Sequence, residues 1–195
     1  MTAAQPNTGQ PNTGMYTAVR EVFSAQELEK IIALGEGLKQ DKAELLGPVA
    51  QAREQIRVTR TSWIPQDEQA RWIYQRIQQC AMMINDQRYR YDLSGFAEPM
   101  QYSVYHGSEG GHYDWHVDQG PTRVRRKLSI SVQLSNPADY EGGVLEFAAG
   151  RHIEQAPRDR GALIAFPSFI THRVAPVMAG TRRSLVIWIT GPAFR

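Results

Sequence analysis

The chain has 195 residues, 42% of them hydrophobic and 22% charged, and its 22 Lys and Arg against 20 Asp and Glu give a formal net charge of +2. That is enough chain for a soluble domain with a sizeable core, and its charge is too balanced to suggest nucleic acid or an anionic membrane surface as a partner. A lone cysteine, Cys80, excludes an intramolecular disulfide and suits a reducing cytoplasm, the location expected here.

The first residues lack the basic start and apolar stretch of a secretory signal. Instead QPNTG occurs twice, at 5–9 and 10–14, so residues 1–14 are expected to be a flexible polar tail. Residues 15–195 are expected to form a single domain, with helical support over about 15–99 and a strand core over about 100–191. Ser24-Ala-Gln-Glu27 has the form of a capping box, with Phe23 and Leu28 placed for a hydrophobic staple, and Leu28, Ile31, Ile32 and Leu38 follow at helical spacing. A second helix is expected to open near Pro65, with Trp72, Ile73, Ile77, Ala81 and Ile84 as its buried stripe. Segments 57–63 and 88–98 are candidates for a lid or substrate wall.

From residue 100 the period changes to two. In KLSISVQLS (127–135), Leu128, Ile130, Val132 and Leu134 face one way, and Ser129, Ser131 and Gln133 face the other. Segments 143–148, 161–166, 169–175 and 182–190 are also strand-like, with Gly or Pro between them. Runs such as GALIAF and LVIWI are far too short to cross a bilayer. The basic run Arg123 to Lys127 reads as a solvated strand edge. Helices followed by many short strands predict a mainly β fold with flanking helices (α+β), a double-stranded β-helix or jelly roll with the N-terminal helices packed on one sheet. The small polar residues opposite the aliphatic face would then line an interior cavity.

The stretch GGHYDWHVDQG holds His116 and Asp118 two positions apart. On a strand, residues i and i+2 project to one side about 7 Å apart; on a helix they would point roughly 200° apart. His-x-Asp on a strand can therefore grip one ion, and a second histidine would complete the two-histidine, one-carboxylate set that suits non-haem Fe(II). His172, in FPSFITHRV, is the best candidate. Asp114 shares the strand face and competes as carboxylate. His112 and His116 have helical zinc spacing, but Gly110-Gly111 and the two-residue alternation argue against a helix, while His106 and His152 read as structural. Past Gly180, Arg182 opens RRSLVIWIT, where alternation groups it with Ser184, Val186 and Trp188. If that face points inward, the guanidinium needs an anion, and a carboxylate offers bidentate contact.

His116-x-Asp118, His172 and Arg182, with YEGGVLEF between them, resemble the iron- and 2-oxoglutarate-dependent dioxygenases, above all their prolyl 4-hydroxylase-like branch. TSWIP, RKLSISVQLSNPADYEGG, PSFITHRVAPV and RSLVIWI extend the likeness over roughly residues 57 to 191. The resemblance implies that His116, Asp118 and His172 bind iron and act in catalysis, and that Arg182 pairs with the distal carboxylate of 2-oxoglutarate. It implies that Tyr105 faces cofactor or substrate, that Gln133 stands where some relatives place a cofactor-contacting tyrosine, and that Trp188 lines the pocket. Dioxygen would be a further co-substrate, with ascorbate in support. The implied reaction hydroxylates an unactivated C–H bond, most naturally of a prolyl residue in a peptide or protein. A free amino acid or small metabolite is a second substrate class. A metal-binding jelly roll that works without 2-oxoglutarate, or without catalysis, remains a reading from another class.

Overall fold

The computed structural model describes residues 14–42, 56–119 and 125–194. The expected tail, apart from Gly14, and the first residues of the basic run lie outside them. In chain order the elements are β1 (Thr17–Val19), α1 (Ala25–Glu36), β2 (Asp41–Lys42), β3 (Arg57–Val58), β4 (Arg60–Ile64), α2 (Arg71–Ile84), β5 (Gly95–Phe96), β6 (Met100–His106), β7 (His112–His116), β8 (Arg126–Gln133), β9 (Tyr140–Gly142), β10 (Leu145–Ala149), β11 (His152–Gln155), β12 (Leu163–Pro167), β13 (His172–Val174) and β14 (Val177–Thr190). The larger sheet runs β1-β12-β8-β14-β6-β4-β2, with β5 and β9 also paired to β14, and the smaller runs β11-β10-β13-β7-β3. This is the jelly roll that the alternation predicts.

Side-chain alternation divides the interior in two. Leu128, Ile130, Val132 and Leu134 join Leu28, Ile31, Ile73 and Ile77 in one buried cluster, so the aliphatic face of β8 packs against the helices. Each such side chain contributes about 1.5–3 kcal/mol on full burial. The opposite face turns toward the smaller sheet, where Tyr105, Phe147, Ile164, Phe166 and Val174 form a second cluster. β12 serves both, with Leu163 and Ala165 in the first and Ile164 and Phe166 in the second.

The capping box forms: Glu27 N–H donates to Ser24 Oγ at 3.3 Å, and Ser24 N–H donates to Glu27 Oε2 at 2.8 Å. Other expectations are corrected. α2 begins at Arg71 rather than near Pro65, because Pro65 directly follows β4 and the chain must first turn, with Ala70 N–H donating to Asp67 Oδ1 at 3.0 Å. The N-terminal part also supplies strands: β4 pairs with β6 and β1 with β12. Gly180 does not separate two strands, and Arg182 does not open one. Gly180 lies within β14 at φ +73°, where an added Cβ would stand 2.0 Å from the Asp139 carbonyl oxygen. The end of the basic run is not solvated. Lys127 is buried with its ammonium 3.6 Å from the Phe194 ring centroid, and Arg126 is clamped by Glu98.

Candidate metal centre

β7 and β13 run antiparallel with His116 directly opposite His172, so one cross-strand pair brings the two imidazoles to a centroid separation of 4.2 Å. Tyr113 lies flat on His116, at 3.5 Å and 13°. Each histidine sets its Nδ1 against a backbone carbonyl, Asp114 O at 2.7 Å for His116 and Ile170 O at 2.9 Å for His172. A carbonyl can only accept, so Nδ1 carries the proton and Nε2 keeps its lone pair free for a metal.

Asp118 lies just past the end of β7, so strand pairing does not hold it. Its N–H and that of Gln119 both donate to Ser168 O, at 3.0 and 2.9 Å, which pins the turn against the residues before β13. One carboxylate oxygen then stands 3.6 Å from His116 Nε2 and the other 3.6 Å from His172 Nε2, with one ligand atom from each residue within 4.8 Å of the others. These separations exceed a hydrogen bond yet suit three donors about 2 Å from a shared cation. Burial pushes the Asp118 carboxyl up, but the two imidazoles and the Ser129 hydroxyl outweigh it and hold the group below the usual carboxylate range. Burial pushes His172 down, and the nearby Asp118 only partly opposes this, so the imidazole favours its neutral, ligating form.

The three residues form part of the wall of a cavity of about 410 Å³, and Tyr105, Arg182 and Trp188 contribute to the same wall. Arg182 is 1% exposed. It donates to Gln133 Oε1 at 2.9 Å and to Ser184 Oγ at 3.3 Å, while its Nε has no partner. Its guanidinium stands 5.3 Å from the Tyr105 ring centroid. Gln133 is held at both ends of its amide. Its Nε2 donates to Pro157 O at 3.2 Å and its Oε1 accepts from Arg182, so both ends of the amide serve the protein and it positions the arginine from behind. Trp188 meets the cavity beneath Arg126, whose guanidinium lies 3.7 Å from the indole, and its Nε1 is buried without a partner.

The rivals lie elsewhere. Asp114 is exposed and accepts from Trp115 N–H, while His112 Nδ1 sits on Gly110 O. His106 bonds Thr181, and His152 is exposed on β11. Of the candidate wall segments, Arg57, Trp63 and Glu98 reach the cavity, while most of 88–98 packs elsewhere, as Tyr89 does in donating to Ala165 O at 3.0 Å. Arg57 lies in the first of these candidate wall segments, whereas nothing in the sequence singles out Ser168, which holds Asp118 through its backbone carbonyl.

A jelly roll with two histidines and a carboxylate converging on one point, and a buried arginine in the same hollow, defines the non-haem iron oxygenase class. Residues 100–190 match the family model described as "2OG-Fe(II) oxygenase superfamily". A "PKHD-type hydroxylase" from Hyphomonas neptunium is 32% identical over 105 residues, 50% of this chain and 47% of the relative. "PKHD-type hydroxylase PiuC" from Pseudomonas aeruginosa is 33% identical over 97 residues, 46% of this chain and 42% of the relative. The chain thus matches these curated relatives over about half their length. Among solved structures, a Pseudomonas putida prolyl-4-hydroxylase aligns with TM-score 0.67 and 25% identity, covering 91% of this chain and 93% of that one. A Trichoplax adhaerens prolyl hydroxylase bound to a hypoxia-inducible-factor peptide fragment has TM-score 0.75 at 20% identity, over 92% and 85% of the two chains, and shows the shared fold. Residues 100–190 of the chain are thus similar to the 2OG-Fe(II) oxygenase superfamily, and the named relatives and solved neighbours are hydroxylases of that kind.

Proposed function

We propose that the protein is an Fe(II)- and 2-oxoglutarate-dependent dioxygenase that hydroxylates a prolyl residue in a peptide or protein. The observation that carries this reading is the convergence of His116, Asp118 and His172 in the cavity that also holds the buried, incompletely partnered Arg182. The donor set suits the metal: two imidazole Nε2 atoms and one carboxylate converge on one point.

His116, Asp118 and His172 would hold the ferrous ion. Arg182 would receive the distal carboxylate of 2-oxoglutarate, supplying the missing acceptor for its Nε, and Ser184 Oγ and Ser131 lie along the same wall. When bound, ferrous iron supplies the oxidative chemistry that couples decarboxylation of 2-oxoglutarate to hydroxylation of a C–H bond. The protein orients the reactants and keeps water away. Leu145, Phe166 and Val174 give the cavity dry walls, and Trp63 and Trp188 flank it with ring centroids 6.3 Å apart. The prolyl substrate is supported by the likeness to the Pseudomonas putida prolyl-4-hydroxylase.

The test is succinate formation by purified protein with Fe(II), ascorbate, dioxygen and 2-oxoglutarate. His172→Ala should abolish it and His152→Ala should not. Equal activity in both variants refutes the metal assignment. A mass gain of one oxygen on free proline, but on no prolyl peptide, would move the substrate to the amino-acid class.

A further inference from the structure

The cavity wall carries three guanidinium groups, Arg57, Arg126 and Arg182, against two carboxylates, Glu98 and Asp118. Arg126 is neutralised where it stands, held by Glu98 through contacts of 2.7 and 2.5 Å. On the reading of the site proposed above, on which this inference rests, ferrous iron, Asp118, dianionic 2-oxoglutarate and Arg182 also sum to zero charge. Arg57 then stands alone with one positive charge.

Its surroundings do not compensate it. Nε and Nη2 of Arg57 are shielded from water and have no hydrogen-bond partner, and no ion pair among the described residues includes this guanidinium. Its close neighbour is the Tyr113 ring, 4.5 Å away, directly across the β3–β7 pairing and stacked in turn on His116. A neutral phenol ring attracts a cation but cannot balance its charge or accept its in-plane protons. Arg57 is also near the rim: Ile56 beside it is 41% exposed, and Trp63, on the same cavity wall, is 45% exposed. A cation in a partly dry site, unpaired, with spare donors, is a receptor for an incoming anion.

We infer that Arg57 recognises a carboxylate on the substrate, so that the preferred prolyl substrate carries an acidic group beside the proline, either an acidic side chain or the C-terminal carboxylate. One unbalanced charge and a planar fork of donors match a carboxylate, and binding it releases Arg57 from serving the Tyr113 ring alone. Arg126, paired with Glu98 and lying over Trp188, forms a neutral wall against which such a substrate would lie.

The experiment uses wild-type protein loaded with Mn(II) and 2-oxoglutarate under argon, titrated calorimetrically with two pairs of peptides. In one pair N-acetyl-Ala-Pro-Asp amide faces its Asn twin; in the other N-acetyl-Ala-Pro with a free C-terminus faces its amide. The carboxylate member of at least one pair should bind about tenfold tighter than its twin, and the pair showing this identifies the source of the carboxylate. In Arg57→Gln that preference should fall to near unity, and Arg57→Lys should restore part of it. Equal binding of both twins by the wild type in both pairs overturns the inference. So does an equal loss for both twins in Arg57→Gln, the result expected if Arg57 only props up Tyr113 and His116, and so does failure of every carboxylate member to bind. Succinate formation by the wild type without peptide is measured in parallel. Its absence refutes the iron and 2-oxoglutarate reading, whereas its presence with indifference between twins refutes only the role of Arg57.

Discussion

Ser129 donates its hydroxyl to Asp118 Oδ2 at 2.7 Å while standing 2.9 Å from the Ser168 hydroxyl, and both serines are fully buried. Ser168 also holds the Asp118 backbone through its own carbonyl. The carboxylate is thus fixed at side chain and main chain by groups beyond the three ligands. Such outer partners typically contribute 10–100-fold in metal affinity. Ser129→Ala is therefore expected to weaken Co(II) or Fe(II) binding by about tenfold, with Ser129→Thr retaining most of it. A metal titration followed by visible absorption of the Co(II) protein checks this; unchanged affinity would mean that Ser168 alone orients Asp118.

Gln133 Oε1 lies 2.9 Å from Arg182 Nη2. Gln133→Glu would place a full negative charge at that spot and neutralise the arginine from behind. KM for 2-oxoglutarate should then rise by about tenfold or more, the scale of one charge-assisted contact. Metal affinity should hold, because Gln133 does not touch the three ligands. Uncoupled succinate formation against 2-oxoglutarate concentration reads the first quantity. An unaltered KM would show that the distal carboxylate binds elsewhere.

What could be read from the chain was what depends on near neighbours in sequence. The alternation from Leu128 to Leu134 reports a strand with one dry and one polar face because side chains on a strand alternate regardless of topology. The capping box at Ser24 is closed within four residues. Arg126 and Lys127 looked like a solvated edge because their partners, Glu98 and Phe194, are distant in sequence and meet them only through the fold. β4 was hidden for the same reason: its ladder to β6 spans about forty residues, and its short length gives little periodicity to detect. His116 and Asp118 stood out by spacing. Ser168 acts on Asp118 largely through its backbone, which residue identity does not signal. Gln133 stands where some relatives place a tyrosine, so residue type alone does not give its role, and the contacts to Pro157 and Arg182 show which way its amide faces.

Gly35 sits in α1, where alanine would ordinarily stabilise the helix by about 1 kcal/mol. Here an added Cβ would stand 2.3 Å from Tyr102 Cγ and 2.5 and 2.7 Å from the neighbouring ring carbons. Tyr102 is fully buried, its hydroxyl tied to Glu36 at 3.0 Å, so the ring cannot swing aside. Overpacking of this kind costs about 1–3 kcal/mol or more and outweighs the helix gain. Gly35→Ala is expected to lose about 2 kcal/mol in urea unfolding, on the scale of such overpacking. A stabilised variant would show that α1 can shift away from the sheet.

Glu36 joins the same helix to the large sheet, accepting from Tyr102 at 3.0 Å and from Arg183 Nε at 2.8 Å. Burial pushes its carboxyl up, but the hydrogen bonds from Arg183 and Tyr102 and the Arg183 charge outweigh this and hold it below its ordinary 4.5. A carboxyl depressed on folding stabilises the native state above its unfolded value, because there the unfolded chain binds no extra proton. That contribution fades as pH falls from 4.5 through the lower folded value, where the unfolded chain takes up the proton first. The group is partly solvated, so the effect is modest. Glu36→Gln, which cannot titrate, should lower Tm at pH 7, and the two proteins should converge on acidification below about pH 4.5, the ordinary value of this carboxyl. Thermal unfolding of both across pH 3.5–8, followed by circular dichroism in metal-free buffer, measures the gap between them. A constant gap over that range would assign the role of Glu36 to packing and neutral hydrogen bonding rather than to its charge.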